Sequence, residues 1–180
     1  IGQLRADFAR RTRIGFVPQK CDLNPSVPTT IQSFVVQGTA GLAVEESKLK
    51  LRVQKSLEVM GIQHIRNQSS WRVSGGQRQR AMVARALVRD PLLMIVDEPT
   101  AGLDLAASSG LLKTITKLNR QHRITVIFVT HDLQLAGRYA SHLAVFKNRR
   151  VKCGPVEEVL TEENLEMAFG VPTKVRPEPS

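Results

Sequence analysis

The sequence predicts an α/β protein built on a parallel sheet. Two short, mainly apolar runs, Leu92 to Val96 and Ile124 to Val129, have the length and composition of buried strands. Between them, Leu105 to Asn119 places large apolar residues at helical spacing. A strand, a helix and a second strand in this order form a right-handed crossover, so the two strands are predicted to be parallel.

The N-terminal half adds one more strand and a group of helices. The strand is predicted over Ile14 to Pro18, and a loop carrying Gln19 follows it. The first helix begins at a capping residue, and the helices end at glycines or at the Asp90-Pro91 break, which predicts a small helical subdomain. They are a helix through Val36 that Thr29 or Thr30 caps, a helix from Glu45 to Met60 stopped by Gly61, and a helix from Ser74 to Val88.

The C-terminal part is predicted to form a hairpin, Leu143 to Phe146 with Arg150 to Cys153, and two short helices, Val156 to Leu160 and Glu162 to Phe169. The chain is therefore divided into four predicted parts. They are the end of an N-terminal region with the glutamine loop (1–26), the helical subdomain (27–90), the sheet core (91–171) and a proline-rich, flexible tail (172–180).

Composition limits the classes of partner. The formal net charge is +10, which suits nucleic acid, an anionic membrane surface or a nucleotide. The tight basic clusters, Arg10 to Arg13 and Lys147 to Lys152, lack the interleaved aromatics of a single-strand binding platform, so nucleic acid is not expected. Cys21 and Cys153 are predicted to be free thiols in a reducing compartment. No apolar run approaches ~20 residues, no signal peptide opens the chain, and Ile1 suggests a truncated or processed start.

Two stretches have the residue types of phosphate and metal chemistry. Gly75 and Gly76 follow Ser74 and open a helix, which allows close approach of a phosphate to the positive helix N-terminus. Asp97 and Glu98 stand together at the end of an apolar strand, where paired acids suggest a metal ligand and a base.

These stretches resemble motifs of the ATP-binding cassette (ABC) family of transport ATPases. Five motifs appear in the family's order and span nearly the whole chain, which makes coincidence very unlikely. They are the glutamine loop (Gln19), the signature (Ser74 to Gln77, with Val73 where leucine is usual), the Walker B strand (Leu92 to Glu98), the D-loop (Ala101 to Asp104) and the histidine loop (His131).

The resemblance implies a P-loop NTPase-like sheet and assigns roles to residues, with ATP and Mg²⁺ as cofactors. Asp97 and Gln19 would hold Mg²⁺, Glu98 would be the general base, and Gln19 and His131 would assist at the attacking water and the γ-phosphate. A further set of residues would contact a nucleotide that is bound between two head-to-tail subunits, with Asp104 at the interface between the subunits. They are Ser74, Gly75, Gly76, Gln77 and Asp104.

One family motif is missing. The sequence contains no GxxxxGK[ST] phosphate loop, and its nearest glycine-rich stretch, Gly38 to Gly41, lacks the lysine and hydroxyl. We expect that the N-terminal part of the cassette is absent and that this chain alone does not hydrolyse ATP. We also expect an unpaired sheet edge at Leu92 to Val96 or Ile124 to Val129, hidden by strand exchange, oligomerisation or a partner segment.

The resemblance implies an ATPase subunit of a transporter, peripheral to the cytoplasmic face of the cell membrane. Its expected partners are a second ABC subunit, a transmembrane permease subunit and an extracytoplasmic solute-binding protein. Phe146 to Arg150, Gly154 to Thr161 and Glu163 to Gly170 resemble the importers of zinc, manganese or iron. The alternatives are a non-transport ABC ATPase acting on nucleic acid and a degenerate regulatory cassette.

Overall fold

The computed structural model describes residues 13–21, 28–42, 44–147, 149–161 and 163–164. The chain divides into two compact units, of which the first ends at Thr130 and the second begins at His131. Along these described residues, no helix combines the length and the apolar character that crossing a bilayer requires.

The first unit is built on a three-stranded parallel sheet, as predicted. Its strands are β1 (Ile14–Val17), β2 (Leu93–Asp97) and β3 (Thr125–Val129), in the order β1-β2-β3. β2 is the central strand, so the expectation that Leu92 to Val96 could be an open edge is wrong. The physical reason is that β1 pairs with the side of β2 that β3 leaves free.

Four helices in the first unit begin and end close to the predicted residues, and a side chain caps the N-terminus of three of them. Thr30 caps α1 with its Oγ1, which accepts a hydrogen bond from Ser33 N at 3.1 Å. Gly61, at φ +68°, follows the C-cap of α2 in a conformation that suits glycine. The helices are α1 (Ile31–Val36), α2 (Glu46–Val59), α3 (Gly75–Leu87) and α4 (Leu105–His122).

Among the described residues, the two faces of the sheet differ in burial. Val17, Met94 and Val96 are fully buried, whereas Phe16 on the opposite face is 58% exposed and Ile127 is 51% exposed. The prediction of buried strands therefore holds only in part, since the second face of β2 is half-buried and β3 alternates between exposed and half-buried residues. α3 packs against β1 and α4 against β3, and right-handed crossovers that step in one direction place both helices over one face.

Arg89 connects the end of α3 to the 3-10 turn Gln37–Thr39. Its Nη1 donates hydrogen bonds to the carbonyl oxygens of Gly38 and Ala40, at 2.8 and 3.1 Å. From the sequence alone Arg89 would be taken as an exposed charge, and that interpretation is wrong, because the carbonyl groups at the end of α1 and its turn need donors.

We predict that Arg89→Met lowers the free energy of unfolding by about 1 to 3 kcal/mol, since two carbonyl oxygens lose a charged donor while the length of the side chain is kept. Urea unfolding of both proteins measures the difference. Arg120→Met, at an exposed arginine of α4, is the control and should change stability little. Equal effects of the two substitutions would contradict the role assigned to Arg89.

Gly38 is buried in the same turn and has no room for a side chain. A β-carbon added there would lie 2.7 Å from Val88 Cγ1 and against the carbonyl of Arg85. We predict that Gly38→Ala costs about 2 to 3 kcal/mol of stability through overpacking.

Gly41→Ala is the matched control for Gly38→Ala. Its β-carbon would meet nothing within 4 Å, and only the positive φ of +75° opposes alanine, at about 1 kcal/mol. Thermal unfolding should give the lower midpoint temperature for Gly38→Ala. The reverse order would show that the turn around Gly38 can move away from α3 and make room for the β-carbon.

The second unit contains the predicted hairpin, formed by β4 (His142–Lys147) and β5 (Arg150–Pro155), between the short helices α5 (Leu133–Tyr139) and α6 (Val156–Val159). Buried Asn164 donates through Nδ2 to the carbonyls of Glu158 and Val159, and its Oδ1 accepts from Lys152 Nζ at 2.6 Å. The remainder of the predicted helix Glu162 to Phe169 and the tail 172–180 lie outside the described residues.

Candidate functional site

The carboxyl ends of the three parallel strands lie at one edge of the sheet, where open α/β sheets bind ligands. Gln19 stands exposed two residues after β1 ends at Val17. Asp97 is the half-buried last residue of β2 and lies in register with Val129 of β3. The fold therefore brings the two predicted magnesium ligands, Gln19 and Asp97, to the same edge.

Glu98 follows Asp97 with an unusual backbone. Its φ is +43°, and its N–H donates to the carbonyl of Val129 at 2.9 Å while its own carbonyl accepts from Ala101 N at 3.1 Å. A left-handed conformation costs a side-chain-bearing residue about 1 to 2 kcal/mol. Strained residues of this kind cluster at functional sites, and Glu98 shares its positive φ with Asp90, Arg123 and Arg149 among the described residues. The role of Glu98 as the base stays a prediction.

The signature stretch forms the N-terminus of α3, closed by a reciprocal cap. Ser74 Oγ accepts from Gln77 N at 3.2 Å, and Gln77 Oε1 accepts from Ser74 N at 3.0 Å. Both side chains are thus used in the cap, and a nucleotide contact by Gln77 would have to compete with this bond. Gly75 is exposed and Gly76 is half-buried. Both lie in the first turn of the helix, where backbone N–H groups have no partner within the helix.

The N-termini of α3 and α4 lie side by side. A β-carbon added at Gly76 would lie 3.4 Å from Ala107 Cβ, and one at Gly75 would lie 3.7 Å from Leu103 Cδ2. Asp104 caps α4, with its Oδ1 accepting from Ala107 N at 2.8 Å. The signature and the D-loop, which are separate motifs in the sequence, therefore form one surface with two positive helix ends.

Trp71 precedes the signature by three residues, and from the sequence alone it would be taken as a packing residue. Its side chain is at the surface, with the Arg78 guanidinium 5.6 Å from the ring centroid. The two residues are separated by the cap at Ser74, so helical spacing does not relate them. A cation–π contact of this kind contributes about 0.5 to 1 kcal/mol at an exposed site.

His131 is the exposed first residue of the second unit, between β3 and α5. Its neighbour Asp132 caps α5 by accepting, through Oδ1, from the N–H groups of Gln134 and Leu135 at 2.9 and 3.0 Å. The predicted contact of His131 with a γ-phosphate stays a prediction.

The donor set at the sheet edge fits Mg²⁺. In the part of the chain that the structure describes, no three His, Cys, Asp or Glu residues come together as a metal site. Mg²⁺ does not need such a cage, since it takes one or two carboxylates together with phosphate oxygens and water. Asp97 and the amide oxygen of Gln19 are hard ligands of the required kind.

Comparison with known proteins identifies the family of this chain. The family described as ABC transporter matches residues 4–101, more than half of the 180 residues. The zinc import ATP-binding protein ZnuC of Paramagnetospirillum magneticum is 33% identical over 89% of this chain and 61% of its own length. The manganese transport ATP-binding protein MntB of Bacillus subtilis is 33% identical over 89% of this chain and 66% of its own length.

A solved ABC transporter of metal-chelate type, in an inward-facing conformation, superposes with a TM-score of 0.82 at 27% sequence identity. The superposition covers 92% of this chain and 69% of that chain. The chain thus spans less than two thirds of the length of these two curated relatives.

Proposed function

Because the chain belongs to the ABC transporter family, we propose that it is the ATP-binding and ATP-hydrolysing part of a transporter. The observation that carries this proposal is the carboxyl edge of the sheet. There Asp97 ends the central strand, and Glu98 follows it in a strained turn held by Val129 of the neighbouring strand.

The chemistry follows from the charges at that edge. Mg²⁺ would neutralise the developing charge on the β- and γ-phosphates, and Asp97 and Gln19 are the residues that would hold it. Glu98, beside Asp97, would accept the proton of the attacking water, and His131 would contact the γ-phosphate.

The paired N-termini of α3 and α4 would act on a nucleotide held mainly by a second subunit. Gly75 and Gly76 would donate their backbone N–H groups to the γ-phosphate, with Ser74 and Gln77 holding the turn in shape. Asp104 would lie at the interface between the two subunits. Two such subunits in a head-to-tail pair would share two sites.

We propose metal-ion import as the transport reaction. The names of the similar proteins support it, since they import zinc or transport manganese. The partners would be a transmembrane permease and an extracytoplasmic solute-binding protein, with this subunit on the cytoplasmic face of the membrane. The net charge of +10 is compatible with an anionic membrane surface.

The test uses an extended chain, in which the part of the B. subtilis relative upstream of the residue aligned with Ile14 is joined ahead of that residue. We predict that the extended chain hydrolyses Mg-ATP and that the chain alone does not. The chain alone has no phosphate-loop lysine to stabilise the transferred phosphoryl group. Turnover by the chain alone that Glu98→Gln removes would refute the need for that segment.

A further inference from the structure

A short turn ahead of α3 presents Trp71, the only tryptophan of the chain, at the surface. The turn is closed by Arg72 N, which donates to Ser69 O at 3.0 Å. It is anchored by buried Ser70, whose N–H donates to the carbonyl of Thr29 at 2.9 Å. Trp71 itself is 36% exposed. Part of a large aromatic side chain therefore stays accessible on a backbone that hydrogen bonds hold on both sides.

Arg78 connects this ring to the first turn of α3. Arg78 N donates to Ser74 O at 2.9 Å, so Arg78 stands one helical turn after the cap residue. Long side chains of a helix lean toward its N-terminus, which brings the Arg78 guanidinium back over Ser74 and Gly75. The guanidinium carbon lies 5.6 Å from the centroid of the Trp71 ring. The indole and the N-terminal N–H groups of α3 therefore belong to one surface.

The positive charge on this surface is not balanced by a carboxylate. Among the described residues, no ion pair includes Arg78, and its Nε is buried without a hydrogen-bond partner. The guanidinium adds its charge to the positive end of the helix dipole. An anionic group is therefore favoured beside the aromatic ring.

The chemistry of the surface matches the two ends of a nucleotide. Backbone N–H groups and a guanidinium bind phosphate oxygens, whereas an exposed aromatic ring stacks on a flat base. The N–H groups of Gly75 and Gly76 come first, the Arg78 guanidinium lies next to them, and the Trp71 ring lies against that guanidinium. A nucleotide that lies along this order, with its γ-phosphate at the two glycines, brings its base to Trp71.

We propose that Trp71 stacks on the base of the nucleotide that the second subunit holds. The inference rests on the proposed function and names a contact at the opposite end of the nucleotide from the phosphates. Because Trp71 and the phosphate-holding residues belong to different subunits, the contact forms only when the dimer closes. It stabilises the dimer and leaves nucleotide binding by the monomer unchanged. Purines offer a larger ring surface for stacking than pyrimidines, so the contact favours ATP over UTP in the closed dimer.

The experiment uses the extended chain with Glu98→Gln, so that the nucleotide persists during the measurement. Sedimentation velocity at saturating Mg-ATP and at saturating Mg-UTP gives a dimer dissociation constant for each nucleotide. We expect Trp71→Leu to raise the constant with ATP by about tenfold or more and the constant with UTP by a smaller factor. Trp71→Phe keeps an aromatic ring and should retain most of the preference for ATP. Equal weakening with the two nucleotides, or no weakening, overturns the proposal.

The fluorescence of Trp71 gives a second readout that needs no substitution at this position. Any tryptophan in the joined segment is replaced by tyrosine, which leaves Trp71 as the only one. We expect ATP to quench its emission when the dimer forms, and dilution that separates the dimer to remove the quenching at constant ATP concentration. A dimer without a change in emission overturns this proposal alone. An extended chain with neither turnover nor an ATP-dependent dimer contradicts the proposed function and this inference with it.

Discussion

Glu98→Gln in the extended chain is expected to bind Mg-ATP and to form a dimer, while turnover falls by about 10² to 10⁴-fold. The amide keeps the size of the side chain but cannot accept the proton of the attacking water. The left-handed backbone at Glu98 is held by Val129 and Ala101, so the substitution should not disturb the turn. Single-turnover hydrolysis and size-exclusion chromatography with Mg-ATP measure the two effects.

Asp97→Asn is the control for Glu98→Gln, because it changes the neighbouring carboxylate in the same way. We expect it to raise the Mg²⁺ concentration needed for half-maximal nucleotide binding, since a neutral amide is a weaker ligand than a carboxylate. Wild-type turnover in Glu98→Gln would show that Glu98 is not the base. A shared defect in Mg²⁺ dependence would show that the two carboxylates act together on the metal.

Ser74→Arg in the extended chain is expected to lower hydrolysis by about a hundredfold or more and to leave nucleotide binding by the monomer intact. The cap of α3 lies beside α4 and not on the strand end that carries Asp97. A bulky arginine there would obstruct the approach of a second subunit's phosphates to Gly75 and Gly76. Turnover and fluorescent-nucleotide affinity at low protein concentration measure the two quantities.

Loss of the helix cap accompanies Ser74→Arg and costs about 1 kcal/mol of stability. Ser74→Thr separates the two effects, since threonine keeps a hydroxyl that accepts from Gln77 N. We expect Ser74→Thr to retain most of the turnover. Monomer binding that weakens in parallel with hydrolysis in Ser74→Arg would contradict a role across the dimer.

The sequence alone determined most of the helices and strands and where most of them end, although α5 (Leu133–Tyr139) was not predicted. Thr30, Ser74 and Asp104 cap helices through bonds to residues three positions away, so their pattern is visible in the sequence. The buried stripe of Val53, Leu57 and Met60 on α2 follows from helical spacing in the same way. The order of motifs also identified the family.

The tertiary structure decided the features that depend on residues far apart in the chain. Arg89 reaches Gly38 across 51 positions, and Gly76 meets Ala107 only because α3 and α4 pack side by side. The exposure of Ile127 and the central place of β2 depend on which strands pair and on which face the crossover helices cover. Such features are not encoded at any local spacing, since they follow from strand order and crossover handedness, which exist only once the chain has folded.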